Sequence, residues 1–209
     1  DRDAFLKSPS AVIGPGDTIV LPDVPAPHFH HEAELGLVIG KTARNVKAED
    51  AADHIFGYLN FIDVSARGLN PNGNSSFFWQ KSWDTFGPMG PAIVTADEIA
   101  DPQNLDVKLW VAGDLRQDLN TSDMGRSVYE VVEWVTWIIT MKPGDLISTG
   151  TNHIGIGPIQ DGDTIDMEIE GLGRLSVNVK DEWKRTWPRL PMSKMTMFES
   201  GVRARVQGQ

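Results

Sequence analysis

Closely spaced glycine and proline residues are the feature that most constrains how this chain folds. Its 209 residues include 20 glycines and 13 prolines, which recur through most of the sequence. Glycine and proline interrupt regular elements and favour turns, so long helices have little uninterrupted sequence in which to form. Short strands joined by many turns are the expected result. The sequence therefore predicts an α+β, β-rich fold, in a chain long enough to bury a substantial core.

Hydrophobic periodicity indicates where the strands lie. Residues 105–111 alternate between apolar and polar side chains, which is typical of a half-buried strand. Residues 165–169 and 175–179 alternate in the same way on either side of the sequence Gly171-Leu172-Gly173, which predicts a hairpin. Further strands are predicted at 18–21, 32–40 and 58–64.

Two segments have helical character. In residues 122–141 apolar side chains recur at helical spacing, and Pro143-Gly144 ends the pattern. Residues 47–56 are predicted to form a short helix with small and apolar side chains on one side. Loop or turn structure is expected where asparagine, proline and glycine dominate, at 70–76 and 87–91.

Composition and missing motifs restrict the possible functions. The formal net charge of −10 argues against a nucleic-acid partner, because an acidic surface repels phosphate backbones. The chain has no cysteine, which excludes disulfides, thiolate metal sites and a cysteine nucleophile. No stretch is long and apolar enough for a membrane span, and Gly155-Ile156-Gly157 lacks the third glycine of a dinucleotide-binding loop. We expect a cytoplasmic protein without membrane or nucleic-acid partners.

Two glutamates begin the predicted strand 32–40. Alternate side chains of a strand share a face, so Glu32 and Glu34 point one way while His31 points the other. Adjacent carboxylates repel each other, and a hard divalent cation would relieve the repulsion. For an isolated pair of this kind, a solvated strand face is the alternative. An H-E-x-x-H zinc site is excluded because Leu35 stands where the second histidine is needed.

A third acidic residue, Asp63, directly follows the mostly apolar run 59–62. An acid at such a position is costly to bury without a partner. Two partners remain open: a metal ion, or Arg67 four residues later. Taken alone, Lys81 resembles a solvated surface lysine, and Thr151 belongs to a glycine-containing loop that needs no function beyond turning the chain.

Taken in order, these segments resemble the fumarylacetoacetate hydrolase family. The resemblance covers residues 5–187 and is carried by segments 31–35 with 38–40, 57–58 with 63–67, 81–86 with 87–91, 143–145 with 149–151, and the turn at 171–173. It implies a mixed β-roll of the family's C-terminal domain type over residues 1–187, with 188–209 as a C-terminal tail. Family members often carry a histidine–glutamate pair on a capping segment, which we expect upstream of Asp1.

The resemblance also implies a site. Mg²⁺ or Mn²⁺, with Ca²⁺ as an alternative, would be bound by Glu32, Glu34 and Asp63. Lys81 and His31 would take part in catalysis, while Arg67, Lys81 and Thr151 would contact the substrate. One departure from the family pattern is Ile62, because many members have asparagine immediately before the ligand aspartate.

Family chemistry implies a small-molecule oxo-acid substrate and a homodimer. The metal would act as a Lewis acid that stabilises enolate charge during C–C bond cleavage. We expect hydrolysis of an acylpyruvate-type C–C bond in a 2-oxo or 1,3-dicarbonyl acid. The same ligands would also serve an oxo-acid decarboxylase or an enol–keto isomerase or tautomerase. A non-catalytic, metal-containing binding protein is the alternative outside enzymes.

Overall fold

The computed structural model describes residues 3–73 and 75–189. Within them the chain forms short strands and two α-helices, as the glycine and proline content predicts. The helices are α1 (Phe77–Lys81) and α2 (Val128–Ile138). The strands are β1 (Val12–Ile13), β2 (Thr18–Val20), β3 (His28–His30), β4 (Ala33–Ile39), β5 (Ile55–Ile62), β6 (Ser65–Arg67), β7 (Gly87–Thr95), β8 (Asp106–Val111), β9 (Asp114–Asn120), β10 (Leu146–Ser148), β11 (Thr164–Ile169) and β12 (Gly173–Lys180).

The strands form two five-stranded sheets and one small ribbon. The first sheet has the order β1-β7-β5-β4-β10, and the second has the order β2-β12-β11-β8-β9. Strands β3 and β6 pair with each other. Each large sheet combines antiparallel pairs with one parallel pair, β1 with β7 and β12 with β2. The predicted β-rich α+β class with mixed sheets is therefore confirmed.

A single large hydrophobic cluster joins the two sheets. It contains apolar side chains from both, including Leu35 and Leu37 of β4 and Leu109 of β8. The side chain of Asn60, on β5, ties the sheets together through polar contacts: its amide nitrogen donates to the Gly90 and Gly173 carbonyls, and its oxygen accepts from the Ile169 N–H. A buried amide is tolerated here because its polar atoms are hydrogen-bonded.

Strand β4 is buried along its whole length, so both of its faces are covered. Leu35 and Leu37 point into the main core. Glu34 and Val38 lie on the opposite face, where Val38 packs in a second small apolar cluster with Leu59 and Phe61. The two glutamates therefore lie on the side of the first sheet that faces away from the second sheet.

The predicted strands at 18–21, 32–40, 58–64 and 105–111 and the hairpin at 165–179 are all present. The prediction of a turn at 87–91 is wrong, because these residues begin β7. The register of β7 against β5 shifts between Tyr58 and Asn60, which leaves Pro91 in the irregular part of the strand. Proline is tolerated in strands at such irregularities, because its missing N–H removes no ladder hydrogen bond there.

The predicted helices need correction at their ends and in their type. The helix expected from residue 122 begins at Val128, because Ser127 and Glu130 form a capping box in which each side chain bonds the other's backbone N–H. Residues 121–123 form a separate 3₁₀ turn. The helix expected at 47–56 is a 3₁₀-helix, Ala48–His54. Strand β9 and helix α1 were not predicted.

The chain after β12 packs across β3. The Arg185 guanidinium lies 4.9 Å from the Phe29 ring centroid and pairs with the buried Asp181. The Trp187 ring contacts Phe29 at a centroid distance of 5.8 Å. Most of the predicted tail 188–209 lies outside the described residues. In the part of the chain that is described, no helix has the length and apolarity required to cross a bilayer.

Candidate metal centre

Three carboxylates meet where strands β4 and β5 lie side by side. Glu32 immediately precedes β4 and Glu34 lies within it, while Asp63 directly follows β5. The antiparallel register pairs Ala33 with Ile62, so the acidic residues fall next to each other, and the Asp63 N–H donates to the Glu32 carbonyl at 2.9 Å. One oxygen from each carboxylate lies within 4.8 Å of the others, and all three residues are buried. The structure thus brings the three predicted ligands together.

Basic side chains surround two of these carboxylates. Lys81 Nζ lies 2.6 Å from both Glu32 Oε2 and Asp63 Oδ2. Lys7 Nζ lies 2.6 Å from Asp63 Oδ1, and the Arg67 guanidinium pairs with Glu32. Arg67 thus pairs with the glutamate, while the partners of Asp63 are the two lysines. Lys81, which alone resembled a surface lysine, is buried at the end of α1.

The Glu34 carboxylate has hydrogen-bond partners different from those of Glu32 and Asp63. Its carboxylate accepts hydrogen bonds from the Ser148 hydroxyl and from the Gly150 N–H at 3.2 Å. Burial, together with the negative charges of Asp63 and Glu32, raises the pKa of Glu34 to about 8. These effects exceed the opposing influence of Lys81 and Ser148. The centre therefore holds a carboxyl group that is protonated at neutral pH for lack of enough positive charge.

Glu32 and Lys81 shift in the directions expected of an ion pair. Burial opposes ionisation of Glu32, but the positive charges of Lys81 and Arg67 outweigh it, so the pKa of Glu32 is lowered. Burial likewise opposes the charged form of Lys81, but Asp63 and Glu32 together raise its pKa. Both side chains are thus charged at neutral pH, and they present a fixed ammonium group beside the carboxylates.

The donor set fits a hard divalent cation. Mg²⁺ and Mn²⁺ prefer oxygen ligands, and three carboxylates from one protein leave coordination positions for substrate oxygens or water. Glu34 carries the specific sign of fit, because burial and the charges of Asp63 and Glu32 raise its pKa, and a nearby cation would favour its ionised form. Of the residues that the structure describes, Glu32, Glu34 and Asp63 would hold the ion.

Arg67 and Thr151, two of the predicted substrate contacts, relate to the centre in different ways. Arg67 ends β6, and its Nε lies 3.4 Å from Nδ1 of the buried His30. Thr151 lies half-buried in the loop after β10, next to the Gly150 N–H that bonds Glu34. The 149–153 loop also lines a cleft of about 420 Å³. Arg67 thus contacts a predicted ligand directly, while Thr151 is connected to the centre through its loop.

His31 lies apart from the carboxylates. As the strand alternation predicts, its side chain points to the face opposite Glu32, where its Nδ1 lies 3.1 Å from Gln117 Oε1. The side chain is fully buried, and burial lowers the pKa of His31 to about 3. The imidazole is therefore neutral at physiological pH. A direct catalytic role for His31 stays a prediction, and this placement favours an influence through neighbouring groups.

Sequence reasoning missed Lys7, Gln117 and Ser148. Each reaches the centre from a segment distant in the chain: Lys7 pairs with Asp63, and Ser148 bonds Glu34. Gln117 bonds the backbone of Ala33, between the two glutamates. Lys7 follows the apolar pair Phe5-Leu6, and that setting was the one available sign, since a lysine in a short apolar segment needs a partner when buried.

Comparison with known proteins agrees with this architecture. The family model described as fumarylacetoacetate (FAA) hydrolase C-terminal matches residues 1–180. The maleylpyruvate hydrolase of Sphingobium sp. SYK-6, solved in complex with manganese(II) ion and pyruvate, is 43% identical with a TM-score of 0.80, covering 87% of this chain and 65% of that one.

Two curated relatives carry different activities. The maleylpyruvate hydrolase of Aquipseudomonas alcaligenes is 40% identical over 176 residues, which cover 84% of this chain and 59% of the relative. The mitochondrial oxaloacetate tautomerase of Xenopus laevis is 40% identical over 181 residues, which cover 82% of this chain and 56% of the relative. Relatives at equal identity thus differ in reaction. The match of the family model over most of the sequence and the shared fold make this chain a member of the fumarylacetoacetate hydrolase family.

Proposed function

We propose that this protein is a Mg²⁺- or Mn²⁺-dependent hydrolase that cleaves a C–C bond in an acylpyruvate-type 2-oxo acid. The observation that carries the proposal is the convergence of Glu32, Glu34 and Asp63 within 4.8 Å beside a buried lysine. The Sphingobium maleylpyruvate hydrolase, whose structure contains manganese and pyruvate, supports the metal and the oxo-acid class.

Each side chain of the centre has a separate role in the proposed reaction. Glu32, Glu34 and Asp63 would hold a divalent cation, which would supply Lewis-acid stabilisation of negative charge on the oxo-acid. The Lys81 ammonium lies between Glu32 and Asp63 and offsets negative charge that develops on the substrate. Arg67 and Thr151 would both contact the substrate, which would keep the reacting bond in one position.

The proposed reaction balances without a redox partner. Water adds to the carbonyl carbon distal to the pyruvate unit, and the C–C bond between that carbon and the pyruvate methylene breaks. The electron pair of the broken bond passes to the methylene carbon, which then takes a proton and becomes the methyl group of pyruvate. The other product is the carboxylic acid that contains the distal carbonyl. Lys81, whose ammonium lies beside Asp63, would stabilise the negative charge present between these steps.

An assay of acylpyruvates, including maleylpyruvate, tests the proposal. We expect loss of enol absorbance and release of pyruvate in stoichiometric amounts with Mn²⁺ or Mg²⁺, and no turnover after chelation. Glu34→Gln is the matched control, because it keeps the shape of a ligand and removes its charge. Metal binding without turnover of any acylpyruvate would contradict the proposed hydrolase and leave the tautomerase, the decarboxylase and the non-catalytic binding protein as alternatives.

A tautomerase is the second candidate, favoured by the 40% identity to the Xenopus oxaloacetate tautomerase. Tautomerisation needs a proton transfer and no water, and it uses the same charge stabilisation. The two functions separate by product: a tautomerase converts enol-oxaloacetate to the keto form with no carbon lost. A decarboxylase, the remaining alternative on this scaffold, would release CO₂ and pyruvate from oxaloacetate.

A further inference from the structure

The side-chain amide of Gln117 connects the segment that carries Glu32 and Glu34 to the loop that carries Thr151. Gln117 lies on β9, in the second sheet, and is fully buried. Its oxygen accepts from the Ala33 N–H at 3.0 Å and from His31 Nδ1 at 3.1 Å. Its nitrogen donates to Thr151 Oγ1 and to the Asn152 carbonyl, each at 3.0 Å. A buried amide with this many partners is costly to disrupt.

The hydrogen-bond partners allow the Gln117 side-chain amide only one orientation. The Ala33 N–H can only donate and the Asn152 carbonyl can only accept, so Oε1 faces Ala33 and Nε2 faces the 149–152 loop. Because Oε1 only accepts, His31 must carry its proton on Nδ1. The buried Nε2 of His31 has no partner among the described residues, which is less costly for a bare nitrogen than for an N–H.

The same reasoning shows that the Thr151 hydroxyl is free to donate its proton to another acceptor. Its oxygen accepts from Gln117, so its proton remains to be donated. The hydroxyl proton is directed to the Asn152 carbonyl at a long 3.3 Å, and that carbonyl already accepts from Gln117. A carboxylate oxygen is a stronger acceptor than a shared carbonyl, so an anionic ligand beside the loop would take this proton.

The loop is also tied to the metal-binding strand from the other side. Gly150 and Ser148 bond the Glu34 carboxylate on the metal-facing side of β4. Gln117 reaches the backbone of Ala33 from the opposite side, where His31 lies. Thr149 also donates its N–H and its hydroxyl to the Leu35 carbonyl of the strand. Among these connections, the one to the Ala33 backbone depends on a side chain from the other sheet.

We propose that Gln117 is a positioning residue that turns the Thr151 hydroxyl into a hydrogen-bond donor for a carboxylate oxygen of the oxo-acid substrate. It does so by accepting from Ala33 and His31 and donating to Thr151 and Asn152. The inference rests on the proposed function, since it requires an oxo-acid at the metal centre. It assigns Thr151 to recognition of the substrate in its ground state, and Gln117 acts through it.

Gln117→Glu, compared with Asn60→Asp, tests the proposal. Gln117→Glu keeps the length and both accepting bonds but replaces the donor to Thr151 with an acceptor, which draws the hydroxyl proton away from the substrate. Asn60→Asp makes the same amide-to-carboxylate change at another fully buried residue, whose nitrogen also donates to two oxygens. It lies outside the centre, so it reproduces the loss of stability without the effect on Thr151.

We expect Gln117→Glu to raise KM at least about tenfold with kcat changed less than about threefold, as loss of ground-state binding predicts. Calorimetric titration of the Mn²⁺-loaded protein with pyruvate should show the same loss of affinity, while Mn²⁺ affinity changes little. Asn60→Asp should keep both KM and pyruvate affinity. Equal losses in the two variants, or an unchanged KM in Gln117→Glu, would overturn the proposal.

Two further measurements test the proposed role of Gln117. If Gln117→Glu does not fold, Thr151→Val removes the hydroxyl alone and should give the same rise in KM, and an unchanged KM overturns the proposal. ¹⁵N NMR of the metal-free protein should place the His31 proton on Nδ1, and a proton on Nε2 overturns the Gln117 arrangement while the proposed function stands. Wild-type protein without pyruvate binding or turnover would instead overturn the proposed function and, with it, the role in substrate binding.

Discussion

At the scale of single residues, the centre is defined by an uneven distribution of charge. Glu32 contacts Lys81 and Arg67, and Asp63 contacts Lys7 and Lys81. Glu34 has hydroxyl and N–H partners instead, and burial with the two neighbouring carboxylates raises its pKa to about 8. Glu34 is therefore the ligand whose ionisation depends most on a bound cation.

Glu34→Gln should have opposite effects on stability and on metal binding. The raised pKa of Glu34 stabilises the folded state below the ordinary pKa of a glutamate, and this contribution is lost as pH rises through about 8. At pH 8 without metal, the variant should be more stable than wild type by about 1 kcal/mol or more, and the difference should shrink towards pH 4.5. Urea unfolding at the two pH values measures it.

The same variant should lose at least about 100-fold in Mn²⁺ affinity, since one anionic ligand is missing. Added Mn²⁺ should therefore stabilise wild type and leave Glu34→Gln nearly unchanged. A variant that is less stable than wild type at pH 8 without metal, or that still binds Mn²⁺ tightly, would contradict the assignment of Glu34.

Metal binding by wild type should release about one proton near pH 7, because a metal ligand must be deprotonated and Glu34 is protonated in the metal-free protein. Affinity should therefore rise about tenfold per pH unit between pH 6 and pH 8 and level off above that. Calorimetry in two buffers with different ionisation enthalpies counts the protons. An affinity independent of pH over this range would show that Glu34 is already ionised.

At the scale of elements, local capping decides where helices begin. Ser127 lies five positions after Ser122, the predicted start. Its hydroxyl accepts from the Glu130 N–H, while the Glu130 carboxylate accepts from the Ser127 N–H. The reciprocal bonds satisfy donors at the helix start that would otherwise be free. Glycine stands three positions after Ser122, whereas Glu130, which completes the capping box, stands three positions after Ser127.

Ser127→Ala should cost about 1 kcal/mol of unfolding free energy, the usual value of a helix cap. Ser122→Ala is the matched control, because Ser122 is exposed and lies outside α2, and it should change stability by less than about 0.5 kcal/mol. Urea denaturation of both variants compares them directly. A larger effect at Ser122 than at Ser127 would contradict a helix that begins after Ser127.

Gly155 and Gly162 share a backbone conformation but differ in the space available for a side chain. Both have a φ of +81°, but a Cβ at Gly155 would lie 1.7 Å from the Arg116 carbonyl oxygen, whereas one at Gly162 meets nothing within 4 Å. Gly162→Ala should cost about 1–2 kcal/mol from backbone strain alone. Gly155→Ala should cost more than about 4 kcal/mol or prevent folding. Thermal unfolding measures both, and equal losses would contradict the close approach.

At the scale of the whole molecule, the centre depends on contacts between distant segments. The predicted ligands come from the start of β4 and the end of β5, the basic groups from residues 7, 67 and 81, and Gln117 from the second sheet. Loss of the packing between the sheets should therefore weaken the centre as well as the core. This connection also explains why buried polar side chains such as Asn60 and Gln117 lie between the sheets, where they fix one arrangement.

The homodimer remains a prediction from the family resemblance. Exposed apolar side chains at the end of α2, Trp137 and Ile138, are available for contact with another chain. Light scattering of the purified protein should give a mass about twice the 23.0 kDa of one chain. A mass equal to one chain across a wide range of protein concentration would contradict the dimer.

Much of the fold could be predicted from local pattern. The hairpin of β11 and β12 follows from strict alternation on both sides of a glycine-rich turn, and β4 follows from its apolar run. Strand β9 was not predicted because its sequence, DLRQDLN, is mostly polar. Its two buried polar side chains, Arg116 and Gln117, are tolerated by tertiary contacts, so composition alone pointed away from a strand.

The sequence by itself determined the short strands, the shared face of Glu32 and Glu34, and the family, because these depend on neighbouring residues and on motif order. The family resemblance predicted Asp63 as the third ligand, but only the tertiary structure decided that Arg67 pairs with Glu32, and that Lys7 and Gln117 lie beside the predicted ligands. The physical reason is that these contacts join segments far apart in the chain, and no local period or spacing encodes which distant partner satisfies a buried charge.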